Sequence, residues 1–123
     1  MVRTGTGGGG TVMREVKALI RPQRVEHVVA ALHDIAGLPG VTVSPVHAYS
    51  GSRPSGSATA PASVEADFIK LETVVPEEIV ETVVVTIARA AHTGRDGDGI
   101  VFVVPVDQFV RIRDISGADS RAL

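Results

Sequence analysis

Apolar and polar positions change their period several times along the chain. Val16, Ala18 and Ile20 alternate with Glu15 and Lys17, which predicts a first strand. Pro22 ends it. Val25, Val28, Val29, Leu32, Ile35 and Ala36 then recur at helical spacing, with Glu26, His33 and Asp34 on the other side. Gly37-Leu38-Pro39-Gly40 stops that helix. Val41, Val43 and Val46 open a second strand. Residues 49–63 (YSGSRPSGSATAPAS) are small, polar and broken by Gly and Pro, which predicts a long mobile loop. Val64, Ala66 and Phe68 alternate with Glu65 and Asp67. The phase then slips, because Ile69, Leu71 and Thr73 alternate with Lys70 and Glu72. One residue of slip exchanges the two faces of a strand, so a β-bulge near Phe68-Ile69 is expected. Pro76-Glu77-Glu78 starts a second helix with acids in its first turn. Ile79, Val80, Val83, Val84, Ile87, Ala88 and Ala91 give that helix a broad apolar stripe, and Gly94 ends it. Ile100–Val104 reads as a fourth strand and Phe109–Arg113 as a short further one.

The order β-α-β-β-α-β predicts an α+β, ferredoxin-like domain with an antiparallel sheet plus a short C-terminal strand. Two helices cover one sheet face, and the other face must be hidden by something else, commonly self-association. The domain spans residues 13–115. Residues 1–12, with five glycines among them, read as a disordered leader, and 116–123 as a flexible tail.

Composition narrows the function. Twelve Lys and Arg against fourteen Asp and Glu leave a net charge of −2, which provides no basic field for duplex DNA. Phe68, Phe102, Phe109 and Tyr49 are the only aromatics, too few for base-stacking platforms. There is no cysteine, so disulfides, thiol catalysis and thiolate metal sites are excluded. The apolar runs are too short for a transmembrane helix, and no secretory h-region opens the chain, so a cytoplasmic protein is expected.

Two constellations suggest chemistry. Thr93-Gly94-Arg95-Asp96-Gly97-Asp98-Gly99 follows the second helix, and glycines two apart let several N–H groups converge as an anion nest. The alternative is a Gly-capped helix followed by a tight turn. On a strand, Arg111 and Arg113 would share one face about 7 Å apart, a pairing that suits phosphate oxygens or carboxylates across the sheet or across a subunit boundary. Together these features point to a nucleotide phosphate. Lys70 and Glu72 share a face of the third strand and either touch a ligand or pair with neighbours. The four histidines (His27, His33, His47 and His92) have no ligand-like spacing, so no metal residues are assigned. No acid, base or nucleophile constellation appears, so no catalytic residue is assigned and an enzyme is not expected.

Ala18-Leu19-Ile20-Arg21-Pro22, Gly40-Val41-Thr42-Val43, Lys70-Leu71-Glu72-Thr73-Val74-Val75-Pro76, the 93–99 turn and Val110-Arg111-Ile112-Arg113 resemble PII signal-transduction proteins, in order over residues 13–115. The resemblance implies a homotrimer that binds adenine nucleotides in clefts between subunits and meets protein targets through a mobile T-loop. The T-loop would be at about 49–63, with Tyr49, Ser50, Arg53 and Ser55 as partner contacts, and the B-loop at 93–99. By position, Thr42 and Val74 would contact adenine, with Glu72 in the same cleft. Gly97, Asp98 and Gly99 would form the phosphate loop, and Arg111 and Arg113 would reach phosphates from a neighbouring subunit.

The sequence departs from the family pattern in three places. Ile100 stands where a phosphate-holding lysine usually follows Gly-Asp-Gly. Ala48-Tyr49-Ser50-Gly51-Ser52-Arg53 lacks the glutamine that helps hold Mg-ATP and 2-oxoglutarate. Phe68 replaces a lysine that grips 2-oxoglutarate. The expectation is a divergent PII-like regulator that binds ADP or AMP at least as well as ATP, without a 2-oxoglutarate site. It would act on an unidentified transporter or enzyme in nitrogen or inorganic-carbon metabolism, with no cofactor and with bicarbonate as a candidate second ligand. The alternatives are a trimeric metal-binding protein of the CutA-like kind and a ligand-free trimeric scaffold.

Overall fold

The computed structural model describes residues 11–49 and 65–115. Four strands, β1 (Met13–Ile20), β2 (Thr42–Tyr49), β3 (Glu65–Pro76) and β4 (Gly99–Pro105), form one antiparallel sheet in the order β2-β3-β1-β4. The helices are α1 (Val25–His33) and α2 (Val80–Ala91), each entered through one turn of 3-10 helix. The leader expected at 1–12 lies outside the described residues except for Thr11 and Val12. The 116–123 tail and loop residues Ser50, Arg53 and Ser55 also lie outside them.

β1 alternates strictly. Val16, Ala18 and Ile20 are buried under the helices, whereas Glu15, Lys17 and Leu19 face the other way. β3 repeats the pattern with Leu71, Thr73 and Val75 buried. α1 adds Val28 and Leu32, and α2 adds Val83, Ile87 and Ala91, to complete the core. Arg24 at the start of α1 donates from Nε (3.0 Å) and Nη2 (2.7 Å) to the Ala90 carbonyl. It thereby caps an end that α2 leaves unsatisfied and ties the two helices together.

Two expectations are corrected. β3 carries no bulge. It holds one register with β1, from Met13↔Pro76 to Ile20↔Ile69, and one with β2, from Thr42↔Glu72 to Tyr49↔Glu65. The covering layer changes, not the backbone. β1 ends opposite Ile69, so β2 and β3 run on as a two-stranded ribbon. There Phe68 stays on the open face with Lys70, Glu72 and Val74, while Asp67 on the helix side is exposed. The short strand expected at Phe109–Arg113 is also absent. Phe109 makes a single bridge and Ile112–Asp114 is a 3-10 turn, with Ile112 85% exposed. No core lies beneath Ile112 to hold it extended.

Within the expected limits, α1 stops at His33 and not Ala36, and β2 runs through Pro45 to Tyr49. A proline is tolerated there because β2 is an edge strand. Ile87→Ala should destabilise the domain by about 2–5 kcal/mol, the cost of a cavity at a fully buried site. Urea unfolding with an unchanged m-value checks this, and a loss below 1 kcal/mol would mean that the core collapses around the gap.

Candidate functional site

Two regions hold most of the expected binding residues, one on the open sheet face at the start of β2 and one at the entry to the edge strand β4. The first is a cleft of about 380 Å³ at the start of β2, lined by Glu15, Thr42, Glu72, Val74, Phe109 and Arg111 among others. Thr42 is opposite Glu72, and Glu72 is opposite Lys17, all on the sheet face that the helices leave open. Lys17 Nζ stands 3.7 Å from both Glu15 and Glu72 carboxylates. The one ammonium is shared between two carboxylates, so this part of the cleft keeps a net negative charge, and Glu72 is paired within the sheet. Thr73 faces the core and donates from Oγ1 to the Gly40 carbonyl at 2.6 Å, which fixes the chain as it enters β2. Arg111 arrives from the C-terminal segment with its guanidinium 5.4 Å from the Phe109 ring centroid, a cation–π arrangement. The cleft thus offers apolar surface, a hydroxyl, two carboxylates and one arginine.

Arg113 goes elsewhere. With no strand to align them, the two arginines do not share a face. Arg113 is 88% exposed at the side chain and lies 3.8 Å from Asp114.

The second region is the turn from Thr93 to Gly99. Gly94, Gly97 and Gly99 all have positive φ, which sequence reasoning expected of the glycines as a group. Gly99 is the tightest, because a Cβ there would stand 1.8 Å from the Leu19 carbonyl oxygen. Asp98 organises the turn. Its carboxylate accepts the Thr93 hydroxyl, the Thr93 N–H at 2.8 Å and the Gly94 N–H at 3.2 Å. Arg21, from the end of β1, pairs with Asp98 across 3.5 Å and donates from Nη2 to the Asp96 carbonyl at 2.5 Å. Part of the nest is therefore filled from within by Asp98.

Within one chain the regions do not meet. The row Thr42, Glu72, Lys17, Phe102 crosses the sheet, and Gly99 lies three residues further along β4. From Thr42 the separation is about 10 Å along the strands and about 14 Å across the three gaps between them.

A profile of the family described as "Nitrogen regulatory protein P-II" matches residues 13–115. The chain is 36% identical over 104 residues to "Nitrogen regulatory protein P-II" of Azospirillum brasilense. It is 38% identical over 104 residues to "Nitrogen regulatory protein P-II 1" of Escherichia coli K12. Each match covers 82% of this chain and 92% of the relative. The solved structure of Arabidopsis thaliana PII bound to citrate superposes with a TM-score of 0.66 at 36% identity, covering 85% of this chain and 86% of that one. The chain belongs to the P-II family.

The P-II pieces singled out in the sequence, Thr42 with Lys70–Pro76 and Thr93–Gly99, frame these two regions. Sequence reasoning missed Glu15 and Phe109 in the cleft and Arg21 at the turn. Phe109 was detectable as a lone aromatic two residues before Arg111. Arg21 gave no signal, because its partners are 75 residues away in the chain. Among the described residues no group of three or more His, Cys, Asp or Glu could hold a metal, and no helix is long and apolar enough to cross a membrane. His47, on the β2–β3 ribbon, pairs with Asp67 at 2.8 Å.

The turn has a pH signature. The Thr93 hydroxyl bond, then the Thr93 N–H, the Gly94 N–H and the nearby His92 lower the Asp98 pKa from 3.8 to about 2, against a smaller opposing effect of burial. A depressed carboxylate pKa stabilises the fold above the unfolded value and loses that contribution as pH falls through the folded one. The contribution is complete above 3.8 and disappears towards about 2. The amide resonances of Thr93 and Gly94 should shift with a midpoint near the lower value, and a midpoint at the ordinary value would mean that the hydrogen bonds are absent in solution. Gly99→Ala should cost about 1–3 kcal/mol from φ alone, and more from the clash with Leu19. Chemical denaturation measures it, and an unchanged midpoint would refute the close approach.

Proposed function

We propose that this P-II protein is a nucleotide-responsive regulator, with ADP or AMP bound between two copies of the chain. The observation that carries the reading is the division of the site. Thr42, Glu72, Val74 and Arg111 surround a cleft on the open face of β2 and β3, and the edge strand β4 on the far side of the sheet begins at the Gly97–Gly99 turn. A closed ring of copies would set the β4 edge of one against the β2 edge of the next and so bring the halves together. The open sheet face supports self-association, since it exposes Ile100 (57%) and Phe102 (44%). A homotrimer is the assembly that the family resemblance implies.

In that arrangement the base would lie against Val74 and Thr42, and Arg111 would take a phosphate oxygen through its planar fork. Arg113, out in solvent, would reach the ligand only from its place beside a neighbouring copy. Ile100 at the start of β4 provides no ammonium, so a third phosphate gains little, which favours ADP or AMP over ATP. Phe68 on the open face likewise provides no cation for 2-oxoglutarate. The β2–β3 ribbon from Ile69 outwards would carry the Ser/Gly-rich segment that meets a protein target, and nucleotide would bias that segment between states. The names of the relatives, nitrogen regulatory proteins, support a role in nitrogen regulation. Bicarbonate coupling would be the sign of an inorganic-carbon role.

Calorimetric titration with ATP, ADP and AMP, each with and without 2-oxoglutarate and bicarbonate, tests the reading. The expected result is ADP or AMP binding that ignores 2-oxoglutarate. ATP binding strengthened by 2-oxoglutarate would contradict the reading of Phe68, and no heat with any nucleotide would overturn the nucleotide site. Arg111→Ala should weaken binding by about 1–3 kcal/mol, as for a lost hydrogen bond to a charged group. Light scattering should give three times the chain mass, and a monomer that still binds nucleotide would disprove the divided site.

A further inference from the structure

Resting on that nucleotide reading, we propose that Arg21 is the positioning residue that makes the 93–99 turn able to accept a phosphate. It does so by cancelling the charge of Asp98 and by setting the direction of the peptide between Asp96 and Gly97.

Ile20 is paired with Gly99, so Arg21 leaves β1 at the base of the turn. Its Nη2 donates to the Asp96 carbonyl at 2.5 Å. A trans peptide points its C=O and N–H in opposite directions. Drawing the Asp96 oxygen towards Arg21 therefore aims the Gly97 N–H away from the guanidinium, to the side where a ligand can meet it. The contact is close: a Cβ on Gly97 would stand 3.0 Å from Nη2, in a residue whose φ of +81° already favours glycine. Arg21 and Gly97 are thus fitted to one another.

The charge argument is independent of that geometry. The turn itself carries Arg95, Asp96 and Asp98, which sum to −1, and Ile100 adds nothing. Asp98 spends its oxygens on Thr93 and Gly94 inside the turn, but its charge remains. A phosphate approaching Gly97 and Gly99 would be repelled by it. Arg21, 3.5 Å from Asp98 Oδ1, brings the sum to zero. The Arg21 Nε is buried and makes no hydrogen bond, so the ion pair with Asp98 holds by charge.

The test compares the full chain with Arg21→Gln, which retains a donor for Asp96 without the charge, and Arg21→Lys, which retains the charge without the fork. Adenosine, ADP and inorganic tripolyphosphate are titrated into each, with amide spectra of Gly97 and Gly99 recorded alongside. Arg21→Gln should weaken ADP about tenfold or more, the scale of a lost charge-assisted contact, and leave adenosine affinity unchanged. Arg21→Lys should recover part of the loss. Equal weakening of ADP and adenosine, or no weakening of either, would overturn the role of Arg21 and leave the nucleotide reading intact. If the unaltered chain binds no nucleotide, that reading fails. Arg21 is then judged on tripolyphosphate alone: shifts of the Gly97 and Gly99 amides that vanish in Arg21→Gln support it, and no shifts in the unaltered chain overturn it.

Discussion

β1 pairs along both of its edges, with β3 on one side and β4 on the other, and its two-residue alternation decides what each sheet face becomes. Val16, Ala18 and Ile20 commit one face to the helices. Glu15, Lys17 and Leu19 are thereby committed to the other. Because both ladders run without interruption, this choice propagates to Glu72 and Val74 on β3 and to Ile100 and Phe102 on β4. A one-residue slip of β1 would carry Lys17 into the core and Val16 into the cleft. The cleft at the start of β2 and the tight entry into β4 at Gly99 are therefore products of the same register that holds the core.

The fold was largely legible because its signals are local. Helical stripes in 25–36 and 79–91, and alternation in 15–20, each bury one face of a single element, and the family pieces lie in the same order. The failures were of a different kind. The phase slip at Phe68-Ile69 was real in the sequence, but it recorded where β1 ends and the helical cover stops, which no local pattern can show. The strand expected around Arg111-Ile112-Arg113 needed a neighbour to pair with. Beyond Phe109 the chain finds none among the described residues, and it turns.

The site was legible in its residue types more than in its arrangement. Thr42, Glu72, Val74 and Arg111 line one cleft of a single chain, whereas the family pieces implied that Arg111 comes from a neighbouring subunit. The role of Asp98 was not visible. A carboxylate in a Gly-rich turn reads as a ligand contact, yet here it is the internal anion around which Thr93, Gly94 and Arg21 arrange themselves. Removing an unpaired carboxylate from such a turn would be tolerated. Removing this one would leave two N–H groups, a hydroxyl and a guanidinium without their common partner, each needing water in its place.

This division of labour bears on how a regulator of this size can be responsive. A turn that stores its own anion is folded without a ligand, so little ordering cost would fall on the binding proposed there. The cleft is different. Its arginine comes from a segment that is anchored by one bridge residue and stacked on a single aromatic ring. Under the proposed function, order gained on binding would be concentrated at Phe109 and Arg111 and would leave the sheet unchanged. On the function proposed above, the cleft at the start of β2 shares β3 with the ribbon that leads to residues 50–64, so a ligand that fixes Glu72 and Val74 would act on the same strand that leads out to the segment proposed to meet a target. Coupling then needs no change of fold, only a shift in how firmly one continuous strand is held at its inner end.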